Sequence, residues 1–139
     1  MANQGYPLGR QYIQGGGAAT WHPTADTIKA CLVANTYTPN LVTDQFLNNL
    51  GANRVGTDQA LAGKAVTNGF LTATNVTFPL VPGGSTVAFL VVYKLVGDGS
   101  AGDVTSPLIV IWDTIVGWPF ATGGTDVVIA WNASGLFRV

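Results

Sequence analysis

Thr86-Val87-Ala88-Phe89-Leu90-Val91-Val92-Tyr93-Lys94-Leu95-Val96 is the stretch whose reading decides the fold. It is almost unbroken in apolar side chains. Its β-branched and aromatic residues prefer a pleated surface and lose rotamer freedom in a helix. No polar face alternates with the apolar one, which is the pattern of a strand covered on both sides. Leu108-Ile109-Val110-Ile111-Trp112 repeats it. Thr27-Ile28-Lys29-Ala30-Cys31-Leu32-Val33-Ala34 reads as a third strand, with Ile28, Ala30, Leu32 and Ala34 on one face and Lys29, Cys31 and Val33 on the other.

Shorter strands are expected at 54–55, 64–71, 75–78, 126–131 and 136–139. Asn132-Ala133-Ser134-Gly135 should form a tight hairpin turn between the last two. Residues 35–40 read as a loop and 97–103 as a flexible turn. Gly83-Gly84-Ser85 and Gly123-Gly124-Thr125 read as hairpin turns. The one helical segment is 44–51, with Thr43 capping its start, Gly51 as a left-handed stop, and Phe46, Leu47 and Leu50 as its apolar face. About eight short strands with turns every 8–15 residues or so imply an all-β fold, an antiparallel β-sandwich spanning 26–139.

Residues 1–25 differ from the rest. Gly15-Gly16-Gly17-Ala18-Ala19 has no side chain able to fix a conformation, yet Tyr6, Tyr12, Ile13 and Trp21 are more apolar than a solvated tail requires. They leave two readings, a frayed terminus or an extended N-terminal arm that orders on a neighbouring subunit with those four residues as interface contacts. On the second reading, removing residues 1–20 leaves a folded body and weakens assembly.

The composition points the same way. The chain of 139 residues is 47% hydrophobic but only 9% charged, and all seven acidic residues are Asp. Soluble domains carry roughly a quarter of their residues as charges, and one small domain cannot bury half its side chains. Part of this uncharged exterior must therefore face other protein. No stretch reaches the ~18 continuous apolar residues of a membrane span. A net charge of −1 with scattered basic residues gives no stripe for nucleic acid. One cysteine, Cys31, and an N-terminus without a secretory pattern predict synthesis in a reducing cytoplasm. On that basis the sequons at Asn75-Val76-Thr77 and Asn132-Ala133-Ser134 are coincidental.

No catalytic or metal site is expected. His22 has no positioned nucleophile or acid at a familiar spacing. Asp26, Asp44, Asp58, Asp98, Asp103, Asp113 and Asp126 fall at turns, caps and strand ends, where Asp serves local hydrogen bonds. The 97–103 loop lacks the alternating oxygen ligands and final Glu of a calcium loop. Cys31 has no second soft ligand, and the glycine pairs lack the Lys-Ser/Thr of a phosphate loop. No cofactor is implied. Trp112 and Trp131 read as core. Trp118 and Phe120, in the 117–124 loop, read as interface contacts.

A succession of phrases supports a more specific expectation: Asp26-Thr27-Ile28-Lys29-Ala30-Cys31-Leu32-Val33, Tyr37-Thr38-Pro39-Asn40-Leu41, Asp44-Gln45-Phe46-Leu47, Ala60-Leu61-Ala62-Gly63-Lys64, Val76-Thr77-Phe78-Pro79, Leu90-Val91-Val92-Tyr93-Lys94, Trp112-Asp113-Thr114 and Asp126-Val127-Val128-Ile129-Ala130-Trp131-Asn132. Over residues 24–139 it resembles a family of small structural proteins of tailed bacteriophages. The resemblance implies a capsid decoration (cement) protein on the virion surface. Its partner would be the major capsid protein and its form a homo-oligomer, with a trimer expected. It brings no active-site residues. Two alternatives are a tail, baseplate or fibre-associated protein, and a carbohydrate-binding module for host attachment that uses Trp118, Phe120 and nearby Asp side chains.

Overall fold

The apolar run becomes strand β7 (Thr86–Lys94), the centre of a six-stranded sheet. The structure is a computed structural model and describes residues 4–13, 25–132 and 135–138. β7 pairs antiparallel with β2 (Ile28–Ala34) on one side and β8 (Leu108–Trp112) on the other. β3 (Arg54–Ala60) extends the sheet beyond β2, β1 (Gln4–Gly5) extends it beyond β8, and β9 (Phe120–Ala121) joins the start of β7.

Both faces of this sheet are covered, as the sequence requires. Ile28, Ala30, Leu32 and Ala34 enter one core and Cys31 and Val33 the other. Along β7, Val87, Leu90 and Val92 face the first core while Phe89, Val91 and Tyr93 face the second. The alternation slips once, at Ala88. There the pairing passes from Val33–Phe89 to Ala34–Val87, a bulge that resets which side chains point inward.

The first core is closed by two small antiparallel sheets. One pairs β6 (Val76–Phe78) with β10 (Val127–Ile129); the other joins β4 (Ala65–Thr67), β5 (Phe70–Thr72) and β11 (Phe137–Arg138). They bury Leu71, Val76, Phe78, Ile129 and Leu136 against the main sheet. The layers are joined by a ribbon. Val81 exchanges backbone hydrogen bonds with Thr125 and Gly124, the Thr122 N–H donates to the Ser85 carbonyl, and the Ser85 N–H donates to the Thr122 hydroxyl. Pairing thus runs from β6–β10 down to β7–β9. Gly83–Gly84 and Gly123–Gly124 lie along this ribbon and do not form the hairpin turns expected of them.

The second core is closed by helix α1 (Pro7–Ile13), Tyr6 and a 3₁₀ helix (Leu47–Asn53). Proline suits a first helical position, where its missing N–H is not needed. Gly9 lets α1 lie directly on β8, since a Cβ there would run into the Leu108 carbonyl oxygen. Tyr6, Leu47 and Leu50 are fully buried, and each such burial contributes roughly 1.5–3 kcal/mol.

Several expectations need correction. The stretch 4–13 is no extended arm. It supplies β1 and α1, and Tyr6 lies inside its own chain's core, where its ring is buried and its hydroxyl meets that of Tyr37. The helical piece is a 3₁₀ helix that starts at Leu47. Asn49 closes it by accepting the N–H groups of Gln45 and Phe46 with Oδ1, both at 2.9 Å, so Thr43 caps nothing. Gly51 does adopt a positive φ of 55°, yet a second short turn follows it as far as Asn53. The last two strands do not form a hairpin, because β10 pairs with β6 and β11 with β5. Finally, 64–71 is two strands. Asn68 and Gly69, with φ of 51° and 80°, make the two-residue hairpin turn between β4 and β5.

Candidate interaction surface

Trp118 and Phe120 are brought together. Their rings meet edge to face at a centroid distance of 5.0 Å, beside a cis Trp118–Pro119 peptide. Each rests one side against the first core and is only partly buried. β9 fixes Phe120 opposite Val87, so the pair stands on the main sheet rather than on a free loop. In front of it is a shallow cleft of about 310 Å³, which Val116 and Val127 help to line.

Two exposed apolar side chains, Val116 and Leu80, flank the pair and form with it an apolar ridge. Val116 is fully exposed (102%) and Leu80 is 72% exposed. Leu80 adjoins the cleft through its N–H, which donates to Asp126 Oδ1 at 2.9 Å, and through Val81, whose N–H donates to the Thr125 carbonyl at 3.0 Å. Leu80 has a φ of 46°, a left-handed conformation that costs a branched side chain about 1–2 kcal/mol. An exposed leucine held in an unfavourable backbone state gains nothing for the fold by being leucine. Strain of this kind gathers at sites of use. On the outer face of β10, Val128 is exposed as well.

The other predicted contacts fall elsewhere. Tyr6 is buried, so its assignment to a subunit interface is corrected. Tyr12 and Ile13 lie on α1. Trp21 and His22 lie outside the described residues. Trp112 and Trp131, read as core, pack against the first core but are only partly buried, 5.8 Å apart. The Trp131 indole N–H donates to the Thr74 carbonyl at 3.0 Å. Trp131→Ala should therefore cost about 2–3 kcal/mol in chemical denaturation, below the value for a wholly buried indole.

The polar groups of the loops are directed inward. Asp103 Oδ1 accepts the N–H groups of Thr105 and Ser106 and the Thr105 hydroxyl. Oδ2 accepts the Gly99 N–H and the Ser106 hydroxyl at 2.7 Å. Ser106 Oγ in turn accepts the N–H groups of Val96 and Gly97. The 97–103 segment, expected to be a flexible turn, is thus fastened by one carboxylate whose lone pairs are occupied. Burial opposes ionisation of Asp103, but the donors from Ser106, Thr105 and Gly99 outweigh it and hold its carboxyl well below the usual carboxylate range. Among the described residues no group of three or more His, Cys or Asp side chains could hold a metal ion. Burial pushes the Cys31 thiol up, which keeps it protonated. No helix among them is long and apolar enough to cross a membrane.

The ridge itself was only half visible in the sequence. Trp118 and Phe120 stand out as aromatics in a loop, whereas Leu80 and Val116 carry no signal apart from their turn neighbours. No family model matches the chain, and no curated protein matches it either.

Proposed function

We propose that this chain is a structural protein of a phage particle, a decoration protein that seats on the assembled head and works as a homo-oligomer through protein–protein contacts. The observation that carries the reading is the ridge of Val116, Trp118, Phe120 and Leu80 on a charge-poor exterior. Interface cores are depleted in charge and enriched in aromatics. A rigid aromatic pair backed by a sheet forms contacts at low entropic cost. The phage setting comes from the resemblance of residues 24–139. A cement protein binds the assembled shell and not its dissociated subunits, so it stabilises the shell by mass action, and repeated sites add avidity.

Co-sedimentation of the purified chain with intact and with dissociated heads of the phage that encodes it tests this reading. Saturable binding to intact heads alone is expected. Trp118→Asp should weaken that binding by about a hundredfold. Leu80→Gly should weaken it while leaving stability unchanged or raised by up to about 1 kcal/mol, because glycine accepts the left-handed backbone. Equal recovery of the chain with and without heads would refute the proposal.

A further inference from the structure

A stable protein–protein contact takes about 20–30 residues a side, whereas the ridge consists of Val116, Trp118, Phe120 and Leu80 alone. The contact must therefore run on over neighbouring surface. Two stretches of chain lead away from the ridge. The stretch 112–120 places Val116 on the cleft before the aromatic pair and Ile115 in a second hollow. β10 does the same, with Val127 on the cleft and Ile129 in the second hollow. Cleft and hollow thus lie side by side along shared walls. Val128, between Val127 and Ile129, is 61% exposed and apolar.

The hollow measures about 160 Å³. Leu90, Ile129 and Leu136, buried members of the first core, back it. Trp112 and Trp131 wall it, both partly buried, with ring centroids 5.8 Å apart and planes tilted by 46°. The Trp131 N–H is spent on the Thr74 carbonyl. No charged side chain lines the hollow, and Asn132 brings the only polar one apart from the indoles. This lining decides what can enter. A glycan hydroxyl or a charged side chain would lose its hydration here with no partner to replace it. An engineered cavity of about 150 Å³ with similar apolar walls stays dry and takes up benzene. The volume therefore admits one side chain of leucine or phenylalanine size. An apolar anchor in a desolvated pocket is the arrangement that dominates binding energy at interfaces.

We propose that this hollow is the second half of the contact face and receives one leucine- or phenylalanine-sized side chain of the head subunit on which the chain seats. The proposal rests on the assembly reading above and gives that contact its anchor. Ala130 lines the hollow yet is exposed, so Ala130→Phe plugs it from outside and should leave the urea midpoint unchanged. In co-sedimentation with intact heads, Ala130→Phe should weaken binding about tenfold. Ala130→Leu, a smaller plug, should give a smaller loss and keeps the comparison open if phenylalanine disturbs the fold. Benzene serves as the probe of the hollow itself. In an NMR titration of the full chain it should shift the indole N–H signals of Trp112 and Trp131 saturably, and Ala130→Phe should abolish those shifts. Native-strength head binding by both plugged variants, or no saturable shift up to about 10 mM benzene, would each overturn the proposal. The titration needs no phage particle, so it decides the hollow even if the chain ignores heads. Plugged variants that bind heads normally remove the anchor and leave the assembly reading standing.

Discussion

Asp103→Ala is expected to cost about 3–5 kcal/mol of folding stability, the largest effect of any single substitution outside the apolar core. The residue is 5% exposed, and five donors converge on its carboxylate. Removing it orphans the backbone N–H groups of Gly99, Thr105 and Ser106 and releases Ser106 Oγ, which holds Val96 and Gly97. The loop between β7 and β8 then loses the hub of its hydrogen bonds and keeps only the short turn contacts of Ser100 with Asp98, Gly102 and the residue 103 N–H among the described residues. Asp103→Asn keeps the shape but turns an NH2 group towards donors, so it should lie close to the alanine variant. The folded carboxyl titrates below its unfolded value of about 3.9, so the stabilisation is complete above that pH and drains away as pH falls below it. Urea midpoints from pH 7 down to pH 3 should show this acid-side loss in the native chain and a shallower one in Asp103→Asn. Equal slopes would show that the carboxylate does not hold the loop.

Tyr6→Ala should cost a further 3–5 kcal/mol or so, and removal of residues 1–13 should abolish cooperative folding. Tyr6 is wholly buried beside Leu108 and Ile111. Its N–H donates to the Ile109 carbonyl at 2.8 Å. Its hydroxyl meets that of Tyr37 at 3.2 Å, and Tyr37 donates onward to Asp44 Oδ2 at 2.7 Å. Burial drives both tyrosine hydroxyls up, so they stay neutral and hydrogen-bonded. Tyr6→Phe, which keeps the ring, should lose only about 1 kcal/mol. Denaturation midpoints at constant m-value separate the three variants. A truncated chain that unfolds like the native one would restore the view of this segment as a dispensable arm.

That contrast shows what the sequence could and could not carry. Period-two alternation placed Ile28, Ala30, Leu32 and Ala34 on one face of β2 because a strand's side-chain direction is a local property. The continuous apolar runs of β7 and β8 marked both-sided burial for the same reason. The fate of residues 4–13 was not local. Next to a run of glycines, Tyr6 looks like part of an arm, and only the surface of β8 and the hydroxyl of Tyr37 make its burial favourable. The 3₁₀ helix was legible as an apolar face at Leu47 and Leu50, but its cap came from Asn49 and not Thr43. Asn68-Gly69 is a strong local hairpin signal, and it makes the turn between β4 and β5. At the candidate surface, the aromatic pair was visible, whereas the strained Leu80 and the hollow walled by Trp112 and Trp131 arise from segments far apart in the chain.

The most direct test of the account is a cryo-electron-microscopy map of the phage particle. The account predicts copies of this chain at symmetry-related positions on the head, with Trp118, Phe120 and Leu80 turned towards the capsid shell. A head surface bare of the chain, or copies whose aromatic ridge points into solvent, would contradict it.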